Sequence, residues 1–178
     1  MFKWIAFLRG INVGGKNMLK MDYLSDILRN GGFVNVGTIL QSGNVYLESS
    51  ESKREMIEET VEKIIFSETG MPIMVIVRSM DEMKEIIQNN PFADHSESPE
   101  HKQYVCFLKR PLTEVNISEK YEKEGLKLAG NKHMELYILA FRVGDRFAFP
   151  NTWMDKELKQ ISSARNMNTL EKIVHKFS

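Results

Sequence analysis

The chain has 178 residues, 42% hydrophobic and 27% charged, which suits one domain or two small ones and excludes a disordered tail, a fibre or a coiled coil. Twenty-four basic and twenty-four acidic side chains cancel, so a general attraction to nucleic acid or to a membrane surface is not expected. The single cysteine, Cys106, has no internal partner and fits a reducing compartment. No apolar run approaches the roughly 20 residues that span a bilayer, and the first residues do not read as a signal peptide, so the expected location is cytoplasmic.

Residues 4–8 are a short apolar run ending at Arg9-Gly10, a buried strand leaving into a loop. That loop, residues 10–17, holds three glycines and two asparagines. Leu24, Ile27 and Leu28 follow at helical spacing, with Asp22 as a candidate N-cap and Gly31-Gly32 as a stop. Residues 33–40 are extended, Ser42-Gly43-Asn44 is a tight turn, and residues 45–47 return as an antiparallel partner. Ser52-Lys-Arg-Glu55 reads as a capping box before a helix carrying Ile57, Val61, Ile64 and Ile65 on one face. Gly70 and Pro72 end it, and residues 73–77 make a fourth strand. The order strand, helix, strand, strand, helix, strand is the split βαβ, or ferredoxin-like, arrangement, with expected strand order 4-1-3-2.

Ser79-Met-Asp-Glu82 is a second capping box, opening a helix that Asn90-Pro91 breaks. Residues 92–102 are polar and read as a linker or exposed loop. Residues 104–108 are a strand, and 111–124 are weakly helical. Residues 126–129, a turn at Gly130-Asn131 and residues 133–140 form a second hairpin. Helices near residues 153–158 and from Leu170 to Phe177 complete the chain. The fold class is α+β, with two ferredoxin-like subdomains at residues 1–78 and 79–178, the first an antiparallel βαββαβ unit. Residues 1–47 carry five basic and two acidic side chains, and residues 142–178 carry seven and four. If the two ends meet, they make a local positive site on a neutral protein.

The stretch Ala6-Phe-Leu-Arg-Gly-Ile-Asn-Val-Gly-Gly-Lys-Asn17, with Gly32-Phe33, Gln41-Ser-Gly-Asn-Val45, Arg78, Asn90-Pro91-Phe92 and Arg165-Asn-Met-Asn-Thr169, resembles the domain-of-unknown-function family 1697. The resemblance covers nearly the whole chain. It implies a cytoplasmic bacterial protein of two α+β subdomains with ferredoxin-like character, and no known activity, substrate or cofactor. The chain departs from the family pattern in residues 140–149, where members often carry a glycine-serine-lysine loop. Here the sequence is Phe141-Arg-Val-Gly-Asp-Arg-Phe147.

Gly10, Gly15 and Lys16 fall on the Walker A phosphate-loop pattern. Asn17 replaces its magnesium-binding hydroxyl, and no strand ends in a matching aspartate, so a nucleoside triphosphatase is not the reading. Two alternatives remain for this loop. The glycine amides and Lys16 form an anion-binding nest before a helix, or Gly14 and Gly15 only permit a tight turn while Asn12 and Asn17 bond the loop's own backbone. Ser42 and Asn44 likewise either complete their own turn or join a polar pocket beside the first loop. Antiparallel pairing of the first and third strands brings that turn near Arg9. Asn166 or Asn168 suits an N-cap, but Arg165 before a helix start opposes the dipole and needs a carboxylate or a bound anion.

The histidines make no metal set, Cys106 reads as a core residue, and no base is identified, so whether a reaction is catalysed stays open. The expectation is a binding module for an anionic small molecule or nucleotide. Its polar cleft, between the subdomains, is formed by Arg9, Asn12, Gly14, Gly15, Lys16, Asn17, Ser42, Asn44, Arg165 and Asn166, with no metal or cofactor. The alternatives are an enzyme using the same cleft, and single-stranded RNA binding through aromatics Trp4 or Phe7 and Tyr46 on an open sheet face.

Overall fold

The apolar run at residues 4–8 becomes the buried stretch of strand β1 (Phe2–Leu8), where no residue from Trp4 to Leu8 is more than 5% exposed. A strand buried on both faces is a central strand. β1 pairs antiparallel with β3 (Asn44–Ser49) on one side and β4 (Val75–Ser79) on the other, and β2 (Val34–Ile39) extends the sheet beyond β3. The resulting order, β2-β3-β1-β4, is the one read from the sequence.

The computed structural model describes residues 1–95, 98–111, 124–159 and 161–178. The chain divides into two units, Met1–Lys84 with Ile173–Ser178, and Glu85–Lys172. Each holds one antiparallel sheet with helices, an α+β architecture. The division falls inside helix α3 (Met80–Asn89), not at the end of β4, and the last residues return to the first unit.

In the first unit, α1 (Met21–Asn30) and α2 (Arg54–Thr69) share one core with the sheet. Strand alternation sends Trp4, Ala6, Leu8, Val45, Leu47, Val75 and Val77 to it, against Leu24, Ile27 and Leu28 of α1 and Ile57, Val61 and Ile65 of α2. The Gly31-Gly32 stop closes α1 as a Schellman cap. Phe33 N donates to Leu28 O at 3.1 Å and Gly32 N to Arg29 O at 3.0 Å, with Gly32 at φ 98°. The glutamate-rich α2 serves an edge strand. Its Glu58 Oε1 accepts from Val77 N at 3.0 Å and its Glu62 Oε1 from Val75 N at 2.8 Å. Two outward amides of β4 are thereby satisfied inside the chain, which blunts that edge toward other strands.

The capping box at residues 79–82 forms as read: Glu82 N donates to Ser79 Oγ at 3.1 Å, and Ser79 N to Glu82 Oε2 at 2.8 Å. Arg54 also reaches Glu82, at 2.5 Å. The box expected at residues 52–55 does not form. Glu51 Oε1 takes the Lys53 amide at 2.7 Å instead, and α2 starts at Arg54 without a side-chain cap.

The sheet face turned away from the helices is closed as well, since Ile5, Phe7, Tyr46, Ile76 and Arg78 are buried. Helix α5 (Met167–Phe177) ends in the first unit. There the Phe177 ring stacks on Tyr46, with centroids 4.8 Å apart and planes 6° from parallel, and Lys176 Nζ donates to Thr38 O at 2.9 Å. Gly37 leaves room for that ring, because a Cβ at residue 37 would lie 2.8 Å from it.

The second unit has the sheet order β6-β7-β5-β9, from β5 (His101–Leu108), β6 (Leu126–Lys132), β7 (Glu135–Val143) and β9 (Ser162–Asn166), with β8 (Arg146–Phe147) pairing only with β7. Helix α4 (Pro150–Trp153) and the π-helical turn Met154–Leu158 bring Trp153 and Met154 over Cys106, Leu136, Ile138, Ala140 and Ala164. Three expectations change here. The hairpin turn is not at Gly130-Asn131. Both residues stay in β6, after a bulge, and the chain reverses at His133-Met134, with His133 at φ 50°. The linker reading of residues 92–102 fails at its ends, where Phe92 is 2% exposed and edge-on to Tyr137 and β5 has begun by His101, while Ala93, Asp94, Pro99 and Glu100 are exposed as the loop reading has it. Residues 162–166 form an unexpected strand. The weak helix expected at 111–124 falls mainly outside the described residues.

Two outcomes follow from these contacts. Phe177→Ala should lower stability by about 1–2 kcal/mol in urea denaturation, a half-buried share of a full aromatic truncation; an unchanged midpoint would show that the final turn is not anchored. Burial pushes the phenols of Tyr46, Tyr104 and Tyr137 up, that of Tyr137 to about 12, with nearby carboxylates adding to the effect at Tyr46 and Tyr137. The folded state thus holds these protons more tightly than the unfolded chain, whose tyrosines ionise near pH ~10. The stability they contribute is whole below that pH and is lost as pH rises beyond it. The urea midpoint should fall between about pH 9.5 and 11.5, and fall less in Tyr137→Phe; identical slopes for the two proteins would contradict this.

Candidate functional site

Two loops meet where β1 ends. Leu8 N donates to Gly43 O at 2.8 Å and Arg9 N to Met74 O at 2.9 Å, and the chain then leaves the sheet into residues 10–17. Val13, Gly14, Gly15 and Lys16 form a tight hairpin, closed by Lys16 N to Val13 O at 3.0 Å. The glycines have φ of 57° and 74°, the paired positive values of a type I′ turn. Below the turn, Asn12 N donates to Asn17 O at 3.1 Å, and Asn17 Nδ2 donates to Gly10 O at 3.0 Å.

Asn12 ties this hairpin to its surroundings. Its Nδ2 donates to Leu19 O at 2.9 Å and Gln41 O at 3.0 Å, while its Oδ1 accepts from Leu19 N at 2.8 Å. One side chain therefore joins the loop, the approach to α1 and the β2–β3 turn. In that turn, buried Asn44 donates to Ile39 O and to Ser42 Oγ, each at 3.0 Å. Gly43, at φ 73°, sits so close to β1 that a Cβ there would meet Leu8 Cβ at 2.8 Å and Ile11 Cδ1 at 2.9 Å.

The structure thus gathers Arg9, Asn12, Gly14, Gly15, Lys16, Asn17, Ser42 and Asn44 into one pair of loops. The asparagine amides within it are bonded to backbone or to a neighbouring side chain. Lys16 is exposed and has no carboxylate partner among the described residues. Arg9 is half-buried. One correction concerns the nest before a helix. α1 begins only at Met21, after Lys20, so the amides of Gly14 and Gly15 belong to a hairpin tip and receive no help from a helix dipole. The antiparallel sheet likewise separates the loop from a phosphate loop of the Walker type.

Arg165 and Asn166 belong to the second unit. Arg165 directly precedes the cap of the last helix, as read, and is also a strand residue. It lies in β9 opposite Val105, its Nη1 donating to Ser163 Oγ at 2.8 Å and Ala164 O at 3.0 Å, and burial pulls its guanidinium down to about 10. Asn166 does cap a helix, its Oδ1 accepting from Asn168 N at 3.0 Å at the start of α5.

The aromatic side chains needed for an RNA-reading sheet are covered: Trp4 is 5%, Phe7 0% and Tyr46 6% exposed. Trp4, moreover, faces the helices. Cys106 is buried, and burial pushes its thiol up, away from nucleophilic use. Among the described residues no three His, Cys, Asp or Glu side chains gather as a metal site, and no helix is long and apolar enough to cross a membrane.

Sequence reading missed a second polar region, in the second unit. Ser98, Pro99, His101, Lys102, Gln103, Asn166 and Asn168 line a cavity of about 440 Å³. Of these, Lys102 also reaches Phe147, its Nζ 4.7 Å from the ring centre, and Arg142 Cζ sits 4.6 Å from the same ring.

Fold and loops together define a two-unit α+β protein with an asparagine-braced glycine hairpin at the end of its central strand. The chain belongs to the family described as protein of unknown function (DUF1697), whose model matches residues 1–133. It is similar in fold to the solved structure of the conserved bacterial protein SP0830 from Streptococcus pneumoniae, at 20% identity and a TM-score of 0.72, over 99% of this chain and 98% of that one. No curated protein matches it.

The tightness of the loop pair is itself testable. Gly43→Ala combines a positive-φ penalty with overpacking against Leu8 and Ile11, and should cost about 2–4 kcal/mol in thermal or urea unfolding. A loss below about 0.5 kcal/mol would mean that the two loops are not held together.

Proposed function

We propose that the first unit binds a small anionic molecule at these paired loops, through Lys16 and the outward amides of Gly14 and Gly15, with Arg9 and Ser42 beside them. The observation that carries the reading is the exposed, carboxylate-free Lys16 on a turn whose backbone is open to approach. A Cβ added at Gly10, Gly14 or Gly15 would meet nothing within 4 Å. Backbone amides presented in succession, with one cation beside them, suit a phosphate or sulfate group. Asn12, Asn17 and Asn44 hold the loops and do not contact the ligand. Arg165 and Asn166 serve β9 and the cap of α5, so the site rests on the first unit alone. The same reading takes the first unit as ferredoxin-like, on its βαββαβ order, and the protein as cytoplasmic, on its lone buried cysteine. No carboxylate or histidine pairs with Lys16 among the described residues, which favours binding over acid–base chemistry.

Sulfate should raise the melting temperature of the full chain in a concentration-dependent way. Lys16→Ala should weaken that protection about tenfold in apparent affinity, the worth of one charge-assisted contact, while leaving the melting temperature without sulfate nearly unchanged. Equal protection of wild type and Lys16→Ala would remove the loop as the site.

A further inference from the structure

We propose that the anion taken up at the paired loops of the first unit carries a hydrocarbon part, so that the site holds an organic phosphate with an apolar chain or ring in preference to a bare inorganic ion. This rests on the loop site of the first unit and names the class of its ligand. Its origin is Leu40, the first residue after β2.

Leu40 has φ 58° and is 48% exposed. Each property is unfavourable for a leucine. The left-handed backbone crowds Cβ against the following carbonyl oxygen, and glycine or asparagine takes it at lower cost. The other non-glycine residues described in that region are Asn12, Asn17, Asn35, Asn90, His133 and Lys159, all polar. Leu40 is the one apolar side chain among them. Half in water, it also recovers only part of its burial energy, so the fold gains little to offset the strain. Strain that packing does not account for marks a functional position.

Exposure around Leu40 is the second observation. Met18 is 67% and Val13 66% exposed, and among the described large apolar residues only Met1 exceeds them. Exposed apolar residues scattered singly are ordinary. These three are gathered. Asn12 Nδ2 bonds Gln41 O, one residue beyond Leu40, and Leu19 O, one residue beyond Met18, while Val13 follows Asn12 itself. Lys16 N closes the same hairpin on Val13 O. Apolar residues beside a lysine without a carboxylate partner among the described residues, and beside glycine amides, complement a phosphate joined to hydrocarbon. Met18 contributes an unbranched side chain that adapts to differing shapes. A bare ion would leave all three side chains in water and the strain at Leu40 unexplained.

Calorimetric titration of the full chain with inorganic phosphate, hexyl phosphate and hexanol separates the two parts of the ligand. Hexyl phosphate should bind about tenfold tighter than inorganic phosphate, the equivalent of roughly two buried methylenes, and hexanol should bind weakest of the three. Leu40→Asn should leave the affinity for inorganic phosphate unchanged and bring hexyl phosphate down toward it. That variant should melt no lower than its parent, because asparagine suits the left-handed backbone. Met18→Gln should reduce the same advantage without touching the strained position, and Lys16→Ala should weaken both phosphates. If neither phosphate binds, or both bind Lys16→Ala like the parent, the loop site itself falls and this inference with it. If inorganic phosphate binds through Lys16 but hexyl phosphate binds no tighter, or keeps its advantage in folded Leu40→Asn and Met18→Gln, the hydrocarbon inference is overturned and the loop site stands. A Leu40→Asn protein melting well below its parent would assign Leu40 to the fold and overturn the inference as well.

Discussion

The burial of one seven-residue strand governs the first unit. β1 is hydrogen-bonded on both edges and covered on both faces, so its apolar residues from Trp4 to Leu8 admit only one register against β3 and β4. A shift of one residue would exchange Trp4, Ala6 and Leu8, which face α1 and α2, with Ile5 and Phe7, which face the other way. Once β1 is placed, the chain must leave it at Leu8 beside the β2–β3 turn, because Leu8 N bonds Gly43 O there. The position of the two loops is a consequence of that register.

The loops illustrate how a polar, glycine-rich motif can look like a ligand site and still be mostly architecture. Asn12, Asn17 and Asn44 stand where unbonded backbone carbonyls need donors, at Leu19, Gln41, Gly10 and Ile39. Asparagine suits two of these positions twice over. Asn12 and Asn17 adopt φ of 53° and 47°, values it tolerates better than most residues, while its amide bonds nearby backbone. What a ligand can use at such a place is what the architecture leaves over, here a lysine and the amides of a glycine turn.

Much of the first unit was legible because its signals are local and mutually consistent. Glycines sit where helices end, apolar residues alternate along strands, and the serine–glutamate pair at residues 79 and 82 forms its box. The box at residues 52–55 loses to a neighbour, Glu51, but the failures in the second unit share a cause, a local signal overridden by partners distant in sequence. Gly130-Asn131 looks like a hairpin turn, yet pairing of Leu126 with Ala140 carries β6 on through a bulge to Lys132. Ser162-Ser-Ala-Arg-Asn166 has no apolar alternation to announce a strand. It becomes one because β5 offers an open edge, with Cys106 opposite Ala164. Arg165 does precede the last helix as read, but the partners it was expected to need were sought without the sheet that holds it, where Ser163 Oγ and Ala164 O accept from its guanidinium. The polar pocket of the second unit escaped notice because its residues come from two separate stretches, 98–103 and 166–168, neither distinctive alone.

Charge placement separates the two polar regions in a way that composition conceals. A chain with equal numbers of acids and bases is neutral only as a sum. Many of its acids are occupied locally: Glu58 and Glu62 on the β4 edge, Glu82 on Arg54 and on a helix start, Asp26 on Arg29, Glu85 on Lys132. Each carboxylate fixed on an amide or a chosen base is unavailable to balance a cation elsewhere. Lys16, Lys102 and Arg142 therefore remain without carboxylate partners among the described residues, although the net charge is zero. Neutrality overall argues against a broad electrostatic surface and is compatible with small, local positive sites, because a site is defined by the charges within about one Debye length, roughly 8 Å at physiological salt.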